Sequence, residues 1–303
     1  MREITLVTAF FNIGREKFKA IPRTDDTYMK NFKFWARMKN KLIVYTDENT
    51  AKLVLKVRTD FGLKDKTEII IINDIFSIEP EIFENMKKVS ENNYFLDFRI
   101  LPNATSNIAE YSYLMLLKSY FLSDAVKRGL TASQVAWIDF GFNHGGDLYI
   151  NPEEFNYLWE YDFSDKINMF YYKKYDEKPI FEIVRRLCDC IMGCLIVLPA
   201  KLCDELWQLN KSSMIILNKV GLSDDDQLIQ LMSYREKPEI FDLHESEWFL
   251  PLKEYGGEHL TVRNMSSRKW YIRKLRNLKF NYKKRKNAFV NSVKTYNNLV
   301  SKE

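Results

Sequence analysis

What most narrows the fold is an alternation of short apolar, β-branched runs with stretches of helical spacing. Ile4 to Phe11 opens the chain as a strand, and Asn12-Ile13-Gly14-Arg15 breaks it. Residues 25–39 set Tyr28, Phe32 and Trp35 at helical spacing. Lys41 to Tyr45 reads as a buried strand ending in Thr46-Asp47-Glu48, and Thr50 to Phe61 as a helix. Glu68 to Ile72 is a third strand, followed by helical or irregular sequence to about residue 105. Ile108 to Lys127 is a long amphipathic helix and Gln134 to Phe140 a further strand. Ile167 to Tyr172 and Ile191 to Leu198 are strand candidates, and Pro199 to Asn218 reads mostly as helix. Ser223-Asp224-Asp225-Asp226-Gln227 caps a helix running to about Tyr234. This pattern predicts an α/β sheet covered by helices on both faces. Ligands of such sheets bind outside the carboxyl ends of the strands. That directs attention to Thr8–Asn12, Tyr45–Glu48 and Asp139–His144.

Composition and missing motifs exclude several classes. With 46% apolar and 29% charged residues the chain is neither disordered nor collagen-like. Its longest apolar run, Cys190 to Ala200, is too short to cross a bilayer. The start, MREITLVTAFF, has an acidic third residue and no cleavage site, so no signal peptide is expected. The four cysteines, at 188, 190, 194 and 203, do not follow paired zinc spacing and read as small buried hydrophobes in a reducing compartment. No G-x-G-x-x-G follows a strand, and no P-loop, H-E-x-x-H or G-x-S-x-G occurs. A standard Rossmann oxidoreductase, P-loop NTPase, zincin and α/β-hydrolase are therefore disfavoured.

Asp139 is the sharpest single residue. A carboxylate leaving a buried strand before a turn can hold Mg²⁺ or Mn²⁺ against a diphosphate, or can simply bond turn amides. The acidic triplet has two readings as well. It suits a helix N-terminus, and Asp226-Gln227 can instead enter a cleft, where the carboxylate deprotonates a hydroxyl and the amide orients it. Lys118 interrupts the apolar face of its helix, to snorkel or to reach a phosphate or base. His259 lies in a Gly-rich turn, exposed or closing over a metal or phosphate.

The segment Ile4 to Arg15, ITLVTAFFNIGR, resembles the opening of the bacterial HtrL/YibB family, which begins with a similar VTA-F-DIGR segment. The Glu110–Lys118 helix and Trp137-Ile138-Asp139-Phe140-Gly141 are similar too, and the resemblance spans roughly residues 1–260. It implies a GT-A-like (Rossmann-like) mixed α/β sheet over 1–262 and a nucleotide-sugar glycosyltransferase serving a surface glycan, lipooligosaccharide or capsule. By that resemblance Thr8, Ala9, Phe10, Arg15 and Gly141 belong to the nucleotide-sugar site, with Tyr45 and Asp47 near the base. Lys118 contacts the nucleotide or its phosphates. Asp139 takes the first position of the metal-binding D-x-D element, and His259 completes the metal site for Mn²⁺ or Mg²⁺. Gly193, in Met192-Gly193-Cys194, and Gln227 face the acceptor. Asp226, or Asp225, is the base for an inverting transfer. The second aspartate of D-x-D is Gly141 here. Either Asp139 and His259 hold the metal with phosphate and water, or Arg15, Lys118 or the tail neutralises the departing diphosphate.

Charge is uneven. From Thr261 to Glu303 there are 13 Lys/Arg against one acidic residue, while the first 260 residues carry 33 basic and 40 acidic. The tail, 263–303, spaces Tyr271, Leu275, Leu278, Tyr282, Phe289, Val293, Tyr296 and Val300 along one helical stripe flanked by lysines and arginines. Such a helix lies on an anionic leaflet or packs on the domain. The expected partners are a nucleotide-sugar donor and a glycan or lipid-linked glycan acceptor. The expected place is the cytoplasm, with peripheral contact at the inner face of the cytoplasmic membrane. The alternative is a non-catalytic protein on a degenerate GT-A fold that binds glycans, or nucleic acid through the tail, although the acidic body repels a phosphate backbone.

Overall fold

The computed structural model describes residues 2–18, 22–100, 105–143, 148–172, 178–186 and 190–263, with 286, 289, 290 and 293 beyond them. Its centre is a mixed sheet of eight strands: β1 (Arg2–Phe10), β2 (Leu42–Thr46), β3 (Thr67–Ile71), β4 (Gln134–Ile138), β5 (Glu160–Tyr161), β6 (Ile167–Tyr171), β7 (Ile191–Pro199) and β8 (Phe241–Glu245). The strand order is β3-β2-β1-β4-β7-β6-β8, and β5 pairs antiparallel with the start of β1. The first four strands run parallel. β7 is antiparallel to β4, with Ile138 opposite Leu195. The chain steps outward from β1 to β3 and returns to β4 on the other side of β1. The carboxyl ends of β1 and β4 therefore flank a topological switch point, where a crevice opens.

Alternation within each strand sends side chains to two separate cores. Val7, Ile43, Tyr45, Val135 and Trp137 join one of them. It is covered by α3 (Pro80–Ser90), α4 (Asn93–Phe98), α5 (Ala109–Lys127), α6 (Ile180–Arg186), α7 (Cys203–Lys219) and α8 (Asp226–Glu236). Ile4, Leu6, Leu42, Val44, Ala136 and Ile138 join the other. Over it lie α1 (Asp25–Trp35), α2 (Glu48–Asp60) and α9 (Pro251–Glu254). Every residue of β2, β4 and β7 is buried, as strands covered on both faces require. The expected mixed α/β sheet with helices on both faces is thus what the chain builds.

Most expected elements fall where the pattern places them, within a few residues. The expected helix 25–39 ends at Trp35, and the helix expected from Pro199 starts at Cys203 because Pro199 still belongs to β7. Two strands had not been read from the sequence. β8 is half-buried at the sheet edge, and β5 has two residues. Cys190, Cys194 and Cys203 are buried, as expected of small core residues, and Cys188 lies outside the described residues. No described helix is long and apolar enough to cross a membrane. Of the expected tail helix, Lys286, Phe289, Val290 and Val293 are helical and exposed, and the remainder of its stripe lies outside the described residues.

A buried arginine fixes the loop that feeds β2. Arg58 on α2 is fully buried, and no carboxylate among the described residues pairs with it. Its Nη1 donates to the carbonyls of Ala36 at 2.8 Å and Met38 at 2.7 Å, Nη2 to that of Asn40 at 3.0 Å, and Nε to Thr67 Oγ1 at 2.8 Å. Burial lowers its pKa to about 10. Asn40 in turn donates to the carbonyls of Ile4 and Trp159 and accepts from the Trp159 N–H. Arg58→Met keeps the volume and strands these carbonyls. It is expected to lower stability by about 3 kcal/mol, read as the shift in the urea unfolding midpoint.

Candidate functional site

Asp139 extends β4 one step past its last residue, its N–H donating to the Cys194 carbonyl at 3.0 Å. Strand alternation puts it on the same face as Trp137, whose Nε1 donates to Asp139 Oδ1 at 2.8 Å. That face carries α5, which brings Lys118. The Lys118 ammonium lies 2.8 Å from Asp139 Oδ1, 2.6 Å from Asp226 Oδ2 and 2.9 Å from the Gly193 carbonyl. An ammonium has three N–H donors, and these three oxygens use them all. Lys118 is only 3% exposed. Burial alone would lower its pKa, but Asp139 and Asp226 outweigh it and hold the ammonium above the usual lysine range.

Asp226 opens α8 and points toward the backbone of β7. A Cβ on Gly193 would lie 1.7 Å from Asp226 Oδ2, so only glycine admits the carboxylate here. Burial pushes the Asp226 pKa up to about 6; Lys118 pulls it down, and Asp225 and Asp139 add to the rise. The other two acids of the triplet have separate partners. Asp225 caps α8, its Oδ1 accepting from the Gln227 N–H at 3.2 Å, while Oδ2 accepts from Ser106 Oγ at 2.7 Å. Asp224 lies 3.5 Å from the Arg99 guanidinium and accepts from the Asp225 N–H. Burial raises both of their pKa values. The Gln227 side-chain oxygen accepts from the Cys190 N–H at 3.2 Å, tying the start of α8 to the start of β7.

Of these groups Lys118, Trp137, Asp139, Gly193, Asp225, Asp226 and Gln227 line a cleft of about 300 Å³ at the carboxyl ends of β1 and β4. The break after β1 lines it too. Asn12 Oδ1 accepts from the Gly14 N–H at 2.8 Å, Asn12 Nδ2 donates to Asp25 at 2.8 Å, and Gly14 adopts a φ of 71° that favours glycine. The turn delivers Arg15, whose guanidinium sits 4.6 Å over the Tyr111 ring and 5.3 Å over Phe18. Arg15 Nε is buried without a hydrogen-bond partner. Arg23 lines the same cleft, 6.0 Å over Tyr28.

The cleft gathers ten of the residues singled out in the sequence: Ala9, Phe10, Arg15, Lys118, Asp139, Gly141, Gly193, Asp225, Asp226 and Gln227. Four others stand elsewhere. Thr8 is fully buried within β1 beside Val44, below the cleft. Tyr45 points to the face of α5, stacking on Phe121 and donating to Asp124 at 2.8 Å. Asp47 caps α2, accepting from the N–H groups of Asn49 and Thr50. His259 packs edge-on against Tyr157, with Nε2 3.0 Å from the Glu154 carbonyl, so the chain does not bring it to Asp139. Arg23, Tyr111 and Trp248 line the cleft without having been read from the sequence. Tyr111 had a signal: it lies seven residues before Lys118 and so shares its helix face.

The contact between Gly193 and Asp226 generates a prediction. Gly193→Ala must displace the buried carboxylate and is expected to cost about 1–3 kcal/mol in urea unfolding. Asp226→Ala in the same chain removes the clash, so the double variant is expected to lose less than the sum of the two single changes.

Residues 2–255 match the family described as "Bacterial protein of unknown function (HtrL_YibB)". Protein HtrL of Escherichia coli (strain K12) is 28% identical over 264 residues, covering 81% of this chain and 90% of that protein. Among solved structures, mouse xyloside xylosyltransferase 1 in its apo form is similar with a TM-score of 0.40 and 11% identity, over 79% of this chain and 84% of that one. The PaToxG glycosyltransferase is similar with a TM-score of 0.36 and 11% identity, over 78% and 70%. The match across residues 2–255 is the finding that decides kinship: the chain belongs to the HtrL_YibB family.

Proposed function

We propose that this protein transfers a glycosyl group from a nucleotide-diphosphate sugar to a hydroxyl of a bacterial surface-glycan acceptor, on a GT-A-like fold. The observation that carries the reading is the placement of Asp226. It is a buried carboxylate with a pKa near 6, in a cleft at the switch point of the sheet that Arg15 and Arg23 also line. Lys118 holds Oδ2 and leaves Oδ1 for an acceptor hydroxyl. In the transfer, the acceptor oxygen bonds to the anomeric carbon as its proton passes to Asp226. The bond from that carbon to the diphosphate oxygen breaks, and its electron pair leaves with the diphosphate. This is an inverting displacement with Asp226 as general base. Asp225 suits the role less well, because a backbone N–H and the Ser106 hydroxyl occupy its two oxygens. Gln227 keeps its side-chain NH₂ for the acceptor. Trp248 and Tyr28 add aromatic surface to the cleft, of the kind that packs on sugar rings or bases.

The tail, with its 13 basic residues against one acid from Thr261 onward, suits a lipid-linked acceptor at an anionic membrane face. The full chain is expected to sediment with phosphatidylglycerol vesicles at low salt and to leave them at high salt.

A panel of UDP- and GDP-sugars, with release of the nucleoside diphosphate as the readout, tests the transferase reading. One donor is expected to be turned over in preference. Asp226→Asn is expected to lower kcat by roughly 100-fold or more while still binding the donor. Because the carboxylate must be ionised to accept a proton, kcat is expected to rise with pH up to about 6 and then level off. Full turnover by Asp226→Asn, or no rise across that range, refutes the assignment.

A further inference from the structure

We infer that the donor diphosphate is neutralised in this cleft by guanidinium groups, Arg15 together with Arg23, and that the Lys118 ammonium stands where a divalent cation would bind Asp139 Oδ1. The inference rests on the nucleotide-sugar reading and specifies its phosphate site.

Three observations argue that the described residues around Asp139 do not fit a divalent cation. The first is occupancy. Asp139 Oδ1 already receives Trp137 Nε1 at 2.8 Å and Lys118 Nζ at 2.8 Å. A cation bound at that oxygen would sit against a buried ammonium that is itself 2.8 Å from it. The second is space for another ligand. The residue two places after Asp139 is Gly141, and a Cβ there would meet two Tyr28 ring carbons at 3.1 and 3.2 Å. A carboxylate side chain at that position would therefore need the ring to move. The third is the partner set. His259 is held at Glu154 and Tyr157, and among the described residues no three His, Cys, Asp or Glu side chains converge as metal ligands.

Lys118 cannot take the phosphates itself, because all three of its donors are spent on protein oxygens. Among the described residues, the cationic groups left on the cleft wall are the two arginines. The guanidinium of Arg15 rests 4.6 Å over the Tyr111 ring, and its buried Nε has no partner among the described residues. A planar fork held in that way matches two phosphate oxygens. Arg23 leads into α1 beside Thr24, which caps that helix, and reaches the same cleft. Two guanidinium groups match the two negative charges of the bound donor's diphosphate and offset part of the third that develops as it leaves, the task a bound cation performs elsewhere.

Calorimetry on the full chain tests this, with UDP and GDP as probes, in EDTA and again with added MnCl₂. The favoured diphosphate is expected to bind equally well in both. Arg15→Met and Arg23→Met are each expected to weaken it about tenfold or more, the effect of losing one charge-assisted contact. Arg15→Lys is expected to recover only part of that loss. Urea unfolding of each variant separates lost contact from lost fold. Binding that collapses in EDTA, or that survives both arginine substitutions, overturns the inference and leaves the transferase reading standing. Failure of both nucleotides to bind under every condition overturns the transferase reading itself.

Discussion

The Lys118 ammonium is the point through which the rest of the site is tied together. It belongs to α5, and its three hydrogen bonds end on β4, β7 and the first residue of α8. A buried charge with all donors satisfied costs little. The same charge with one acceptor removed is an uncompensated ion in a low-dielectric interior, worth several kcal/mol. The four elements are therefore held in one relative arrangement by electrostatics as well as by packing. The apolar contacts of the core could tolerate small slips between helix and sheet. Three hydrogen bonds shorter than 3 Å to fixed oxygens cannot.

That arrangement explains the demand on Gly193. β7 is buried along its whole length, and most of its side chains fill one core or the other. At Gly193 alone the strand gives up a side chain, and the space is taken by the Asp226 carboxylate from α8. The backbone carbonyl exposed there becomes the third acceptor for Lys118. One glycine thus admits the carboxylate and supplies an oxygen to its counter-ion.

The fold was legible in the sequence because its strands are short, apolar and flanked by strong helical periodicity. β2 and β4 are fully buried pentapeptides, and nothing in their surroundings competes with that reading. β8 was not legible: Phe241-Asp-Leu-His-Glu pairs with one neighbour at the sheet edge, and its half-burial dilutes the apolar signal. In the site, Asp139 could be read from its position at a strand exit. Tyr45 and Asp47 could not be resolved in the same way. A strand end offers residues to both faces and to the following helix, and which one reaches the crevice depends on pleat and capping. Tyr45 falls on the α5 face, and Asp47 is consumed as an N-cap. His259 shows a different limit. A late loop can fold back onto many parts of a sheet, and only tertiary contacts decide that it stops at Tyr157.

The acidic triplet shows how three adjacent carboxylates can take three separate sets of partners. From sequence, helix capping and catalysis compete as explanations of Asp224-Asp225-Asp226. In the fold they are divided by residue. Asp224 answers the buried Arg99, Asp225 caps α8 and anchors Ser106, and Asp226 meets Lys118 at the cleft. Three adjacent buried carboxylates repel one another, and each would be costly without its own partner. Arg99 and the helix N-terminus hold the first two charges locally, which leaves Asp226 as the one whose partner also faces the cleft. Its raised pKa follows from this crowding and from burial together. A carboxylate placed in open solvent at the same strand end would be a weaker base. For the transfer proposed above, the structural work of Asp224 and Asp225 is thus part of what would make Asp226 fit to accept a proton.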